Sequence, residues 1–95
     1  MLKDYEGMFI VKPDLSQTES QDVIKGIEEV ITSNKGVIKD NLAWGKRQLT
    51  YKMGKYKEGL YQLIHFQTDS SSIMTLKRAY GLNENILRIL ITDML

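Results

Sequence analysis

The chain has 95 residues, with 13 basic and 12 acidic side chains and a net charge of +1 at neutral pH. A chain of this length forms one domain, residues 1–95, with one modest core. It contains no cysteine, which excludes a disulfide framework, a thiolate metal site and a cysteine nucleophile.

The first predicted elements are a strand and a helix. Residues 4–12 combine aromatic and β-branched side chains and end before the single proline, which cannot donate a ladder hydrogen bond. Ser16 and Glu19 form a capping-box pattern, and the helix is expected to run to about residue 33. Its apolar stripe follows helical spacing and consists of Val23, Ile24, Ile27, Val30 and Ile31. Gly36 is expected to take the left-handed conformation that ends the helix.

The second half of the chain predicts two more strands, a helix and a last strand. Residues 37–53 form a long strand with a bulge at Gly45, and from Arg47 to Met53 its side chains are expected to alternate regularly. The remaining elements, in order, are a turn at 54–59, a strand at 60–67, a helix that starts near Asp69 and ends at Gly81, and a strand at 86–92.

The order β-α-β-β-α-β predicts an α+β, ferredoxin-like fold. In this fold, two helices lie on one face of a four-stranded antiparallel sheet, and the other face is open. Glu6 and Arg88 mark the open face, since a charge is costly under the helices. Strand alternation then gives a protein-partner face of Glu6, Met8, Ile10, Tyr61, Leu63, Ile86 and Leu90, with His65 beside it. A solvated face should be mostly polar, so these residues predict an interaction surface.

Positive charge concentrates in the second strand and the turn after it. Residues 41–57 contain five bases and no acid, interleaved with Trp44, Tyr51 and Tyr56. Such a hairpin suits RNA, because cations neutralise phosphates and aromatic rings stack on unpaired bases. The same pattern also fits a solvated, twisted hairpin whose aromatic rings pack on the sheet.

Sites for catalysis are not indicated. His65 is the only histidine, Glu28 and Glu29 point apart on a helix surface, and a glycine-rich phosphate loop is absent. We therefore predict a protein that is not an enzyme and uses no metal or cofactor. Short apolar runs and the lack of a recognisable secretory signal lead us to expect a cytoplasmic protein without a membrane span.

Several motifs, in order, resemble the bacterial small-subunit ribosomal protein number six family. They are Tyr5-Glu6 with FIV and Pro13, Asn34 to Gly36, WGKRQLTY at 44–51, GLY at 59–61 and ILRI at 86–89. The resemblance implies a ferredoxin-like fold, no enzymatic activity and a place in the small ribosomal subunit. It also implies two partners, small-subunit ribosomal protein eighteen and the central domain of the small-subunit ribosomal RNA.

The resemblance also implies which residues face RNA. They are Lys46, Arg47, Tyr51 and Arg88, with Tyr5 and Glu6 of the first strand nearby; charge alone adds Lys3, Lys52 and Lys55. Many members of the family read LAYP where this chain has LTYK at 49–52, so the path of this strand is expected to differ locally. The alternative function is a ferredoxin-like regulatory or ligand-binding module that self-associates through its open face.

Overall fold

Four strands and two α-helices follow one another in the order β-α-β-β-α-β in the computed structural model, which describes residues 1–94. The elements are β1 (Leu2–Val11), α1 (Gln17–Ser33), β2 (Val37–Met53), β3 (Tyr56–Asp69), a short 3-10 turn (Ser70–Ser72), α2 (Ile73–Gly81) and β4 (Ile86–Asp93). The strands are antiparallel in the order β2-β3-β1-β4, which confirms the predicted ferredoxin-like arrangement. None of the helices in the described part is long and apolar enough to cross a membrane.

The start of α1 follows from its capping residues. The Ser16 hydroxyl accepts a hydrogen bond from the Glu19 amide at 3.1 Å, and the Glu19 carboxylate accepts one from the Ser16 amide at 3.2 Å. Two amides that lack helical partners are thereby satisfied. The predicted stripe faces the sheet, and its buried members are Val23, Ile27 and Ile31.

The end of α1 differs from the prediction. Lys35, and not Gly36, takes the left-handed conformation, with a φ of 65°. Gly36 is required for a different reason, since a Cβ there would lie 2.5 Å from Ile31 Cγ2 and 2.7 Å from the Ile31 carbonyl oxygen. The Gly36 amide also donates to that carbonyl at 2.9 Å. The close approach of two backbone segments therefore requires glycine at position 36.

The core lies between the two helices and one face of the sheet. Phe9 of β1 meets Tyr80 of α2 edge to face, with ring centroids 4.9 Å apart. The Tyr80 hydroxyl donates to the Ile27 carbonyl of α1 at 2.7 Å, and burial raises the pKa of this tyrosine. Each such large apolar side chain contributes about 1.5–3 kcal/mol when fully buried. One aromatic residue therefore connects both helices to β1.

A polar chain ties α1 to the sheet edge. Buried Gln62 of β3 donates through Nε2 to Asn41 Oδ1 of β2. Asn41 Nδ2 in turn donates to Glu28 Oε2 of α1 at 3.0 Å. Because these side-chain groups are paired, the buried amide adds specificity to the packing without an unpaired polar group.

The hairpin of β2 and β3 is longer than predicted, and its turn is shorter. Only Gly54 and Lys55 separate the two strands, so the expected turn at 54–59 is wrong. Between the pairs Gln48↔Glu58 and Met53↔Tyr56, β2 has four residues where β3 has one. The extra residues bulge out of the ladder, and this breaks the regular alternation expected from Arg47 to Met53.

A second irregularity lies where β4 meets β1. Ile10 pairs with Arg88, but the next residue, Val11, pairs with Ile86, so β4 advances by two residues where β1 advances by one. Ile86 is therefore placed on the helix side, where it packs against the core. Its predicted place on the open face is wrong, because the register shift at Ile10 reverses the face of every residue beyond it.

Two glycine-to-alanine substitutions should have opposite effects on stability. Gly36→Ala should lower the free energy of unfolding by about 1–3 kcal/mol, since the new Cβ would overlap the Ile31 backbone. Gly26→Ala, inside α1 at a position where an added Cβ meets no other part of the molecule, should raise it by about 0.5–1 kcal/mol. Urea unfolding of the three proteins tests both values. A Gly36→Ala protein as stable as wild type would refute the packing constraint.

Candidate functional site

An apolar row crosses the open face of the sheet through all four strands. The ladders pair Leu42 with Leu63, Leu63 with Met8, and Met8 with Leu90. Directly opposed residues share a face, so these four side chains form one line about 14 Å long, three strand spacings. The two outer leucines are 53% and 55% exposed, whereas Leu63 and Met8 are half-buried between them. Met8, Leu63 and Leu90 therefore lie on the open face of the sheet, where strand alternation places them.

A second row runs parallel to the first, nearer the hairpin. It pairs Gly45 with Tyr61, Tyr61 with Ile10, and Ile10 with Arg88. Tyr61 is half-buried and Arg88 exposed, but Ile10 is only 7% exposed although it lies on the open face. The Ile10 side chain occupies the space that a Cβ on Gly59 would fill. In this row a buried isoleucine therefore lies between a tyrosine and an arginine.

The other end of the open face is polar and acidic. His65 pairs with Glu6 in one ladder and with Asp40 in the other. His65 Nε2 lies 2.9 Å from Asp4 Oδ1, and Gln67 Nε2 donates to the same oxygen at 3.1 Å. These hydrogen bonds, first that of His65 and then that of Gln67, hold the pKa of the Asp4 carboxyl below its ordinary value. Residues 1–94 contain no cluster of three or more side chains placed to hold a metal ion.

The basic hairpin is built around contacts between cations and aromatic rings. The Arg47 guanidinium carbon lies 5.2 Å from the Trp44 ring centroid, and Arg47 Nε donates to the Trp44 carbonyl at 3.4 Å. Lys55 Nζ lies 5.4 Å from the ring centroid of Tyr56, whose hydroxyl donates to the Asp14 carboxylate at 3.2 Å. This last contact joins the hairpin to the loop after β1.

The exposed hairpin residues are distributed over both sides of β2. Arg47 pairs with Gly59 on the open side, whereas Lys46 pairs with Leu60 and lies on the helix side by register. Tyr51 is 79% exposed within the bulged segment, and Lys52 and Lys55 are also exposed. All five predicted hairpin residues are therefore accessible to a large partner. Arg88 lies on the opposite edge strand, three strand spacings from β2.

Two residues expected to face RNA lie elsewhere. Tyr5 is 4% exposed and stacks on Phe66 in the core, with ring centroids 5.8 Å apart, and burial raises its pKa. Its ring is therefore unavailable to a base. Lys3 is exposed but pairs with Thr68, nine residues along β3 from the Gly59 that faces Arg47, or about 30 Å. The structure does not bring Lys3 together with the hairpin cations.

Two residues at these surfaces were not predicted as site residues. Leu42 lies in the open-face row because β2 shifts register between Ile38 and Asp40, a shift that the sequence does not display. Trp44 lies beside Arg47. The sequence could have indicated Trp44 as a site residue, because it directly precedes Gly45, the glycine of the predicted bulge.

Comparison with known proteins assigns the family. The sequence model described as Ribosomal protein S6 matches residues 4–93. The chain belongs to the ribosomal protein S6 family. This confirms the resemblance seen in the sequence, and with it the expectation of a small-subunit ribosomal protein that is not an enzyme.

Individual S6 relatives align over most of the chain. It is 40% identical over 90 residues to the small ribosomal subunit protein bS6 of Helicobacter acinonychis (strain Sheeba), covering 95% of this chain and 63% of that relative. It is 39% identical over 90 residues to bS6 of Thermoanaerobacter pseudethanolicus, covering 95% of each. The chain thus spans less than two thirds of the Helicobacter relative and nearly all of the second.

The fold is similar to that of a solved member of the S6 family. The 30S ribosomal protein S6 from Thermotoga maritima superposes with a TM-score of 0.92 at 26% identity, covering 99% of this chain and 89% of that one.

The hydrogen bonds of the polar end can be tested on Asp4. We expect His65→Leu to raise the pKa of Asp4 towards its ordinary value of 3.8, because His65 is the largest cause of the lowering. Gln67→Leu should raise this pKa by less, because the Gln67 bond is the second cause. Carboxyl titration by NMR measures each shift, and an unchanged pKa in His65→Leu would contradict the assignment.

The sign of the pH dependence follows from the lowered pKa. Asp4 stabilises the fold fully at a pH above its ordinary pKa of 3.8, and this contribution is lost as the pH falls through the lowered value. In the His65→Leu protein, the Asp4 carboxylate contributes less to the free energy of unfolding. Its unfolding free energy should therefore fall less steeply on acidification, as measured by urea unfolding over that range.

Proposed function

We propose that this S6-family chain binds the central domain of the small-subunit ribosomal RNA together with small-subunit ribosomal protein eighteen. The observation that carries the proposal is the apolar row Leu42–Leu63–Met8–Leu90, which crosses the open face, together with an exposed arginine on the same face of each edge strand. In this arrangement the sheet face binds protein, and the hairpin with Arg88 contacts RNA.

The protein side of the proposal depends on the area that the open face leaves exposed. Leu42 and Leu90 are each about half exposed, and covering them would contribute about 1 kcal/mol each. Tyr61 and Met8 extend the same surface, and both are half-buried. A partner that covers this row removes from water an apolar strip that a solvated sheet face would not carry.

Charge supports a basic protein partner. The net charge of the chain is only +1, which is low for a protein that binds RNA alone. The polar end of the open face presents Glu6 and Asp40, carboxylates that favour a partner with positive charge. Much of the charge that neutralises phosphates would then come from the partner.

The RNA side of the proposal consists of accessible cations and an exposed tyrosine ring that can stack on a base. Lys46, Arg47, Lys52, Lys55 and Arg88 are all exposed. Tyr51, at 79% exposure, is available to stack on an unpaired base. Arg47 and Arg88 offer planar forks that match a phosphate, whereas the lysines act as point charges. Tyr5 is not part of this surface because it is buried, and Lys3 remains a separate, more distant candidate.

The first experiment measures fluorescence anisotropy of a labelled central-domain RNA fragment. The fragment is titrated with the chain, with protein eighteen, and with both, at two salt concentrations. We expect weak binding by the chain alone and tight, salt-sensitive binding by the pair. Absence of binding by a correctly folded pair would overturn the proposal. A concentration-dependent homodimer in sedimentation would then favour the self-associating module.

A charge placed in the apolar row should abolish pairing. Leu90→Asp puts a carboxylate on the exposed edge of the row, where the protein partner would have to desolvate it. Leu82→Asp is the matched control, because Leu82 is 80% exposed at the end of α2, away from the row. Co-purification with protein eighteen should fail for Leu90→Asp alone, with circular dichroism unchanged in both. Normal pairing of Leu90→Asp would remove this face from the interface.

Loss of one phosphate contact should change the salt dependence of RNA binding. Arg47→Ala should weaken binding by the pair and reduce the slope of log affinity against log salt by about one. Arg78→Ala, an exposed arginine of α2, should leave the slope unchanged. Titrations at several salt concentrations give both slopes. Equal slopes for wild type and Arg47→Ala would exclude Arg47 from the RNA surface.

A further inference from the structure

Trp44 and Arg47 are in contact although a regular strand would separate them. Residues three apart in a strand point to opposite faces. Here the Arg47 guanidinium carbon lies 5.2 Å from the Trp44 ring centroid, and Arg47 Nε donates to the Trp44 carbonyl at 3.4 Å. The contact therefore requires a local departure from strand geometry.

The bulge at Gly45 supplies that departure. Ala43 pairs with Gln62 and Gly45 pairs with Tyr61, so Trp44 is an extra residue without a partner in the ladder. Gly45 has a φ of 82°, a conformation that other residues rarely adopt. One extra residue shifts the alternation of side chains along the strand, so the Trp44 ring and the Arg47 guanidinium lie on the same side of β2. The sequence Trp-Gly-Lys-Arg therefore brings an aromatic ring into contact with an arginine side chain.

The contact leaves most of the guanidinium free. Arginine has five N–H donors, of which Nε–H is directed to the Trp44 carbonyl, so four remain on the two terminal nitrogens. A flexible arginine loses rotamer freedom when it binds a ligand, and a guanidinium that is already held loses less. Both residues are solvent-exposed, so the free edge of the fork is accessible to a phosphate.

We infer that Trp44 is a positioning residue for Arg47 and orients its guanidinium towards a phosphate of bound RNA. The inference rests on the proposed function. It gives Trp44 a role distinct from base stacking, since the Arg47 guanidinium already lies over its ring. Lysine at position 47 would not substitute, because it lacks both the Nε–H that reaches the Trp44 carbonyl and the planar fork.

The test uses RNA titrations of the pair with variants of this chain. Trp44→Leu should weaken RNA binding about two- to fivefold, the factor expected for an exposed cation–π contact, without changing the salt slope. Trp44→Phe should restore most of the affinity, because it keeps a ring. The loss caused by Arg47→Ala should be smaller in the Trp44→Leu background than in wild type, because the two residues act as one unit. Lys46→Ala, on the opposite side of β2, should give the same loss in both backgrounds.

Fluorescence of the free chain provides an independent measurement. Trp44 is the only tryptophan, so its emission reports on this contact directly. Arg47→Ala should change the emission and Arg47→Lys should not restore it, whereas Lys46→Ala should leave it unchanged. If Arg47→Ala leaves the tryptophan emission unchanged, the inference is overturned, and no Trp44 variant is needed to show this.

The outcomes separate the inference from the proposed function. A wild-type pair that does not bind the RNA overturns the proposed function and this role with it. If the wild-type pair binds RNA and the Trp44→Leu variant binds equally tightly, the positioning role alone is overturned. The same holds if Arg47→Ala causes an equal loss of RNA affinity in the wild-type and Trp44→Leu backgrounds.

Discussion

The organisation of this molecule depends on the fact that its two helices cover only one face of a four-stranded sheet. Phe9, Phe66 and Tyr80 fill the covered side, and the capped helix α1 is fixed to the sheet by buried Gln62 through Asn41 and Glu28. Side chains on the other face are not covered by a helix, so the apolar residues there form a candidate interaction surface. The chain divides that face, with carboxylates and His65 at one end, leucines across the middle, and Arg47 and Arg88 on the two edge strands towards the other end.

The elements with clear periodicity could be predicted from the sequence. The capping box at Ser16, the stripe of α1 and the alternation of β1 and β3 follow from side-chain spacing alone. Tyr5 is instructive, because alternation puts it on the same face as Phe9, under the helices, whereas the resemblance put it near RNA. Its burial at 4% exposure agrees with the alternation. For a single side chain, the local pattern was the better guide.

The errors about which face a strand residue occupies share one physical cause. A single extra residue in one strand reverses the face of everything beyond it, and the extra residue is fixed by ladder pairing that a single sequence does not contain. Ile86 moved to the core and Leu42 joined the open face through such shifts. The shift at Gly45 was predictable in position, because glycine signals a bulge. Its consequence, the meeting of Trp44 with Arg47, required the pairing as well.

The irregularities of β2 also protect the molecule from unwanted association. β2 is one of two edge strands, and the unpaired amides and carbonyls of an edge are a template for a strand from another chain. Its three register shifts and its row of lysines and arginine make that edge uneven and cationic, and therefore a poor template. β4, with eight residues, is the shorter edge. The seventeen residues of this edge strand therefore offer a poor surface for pairing with a strand of another chain.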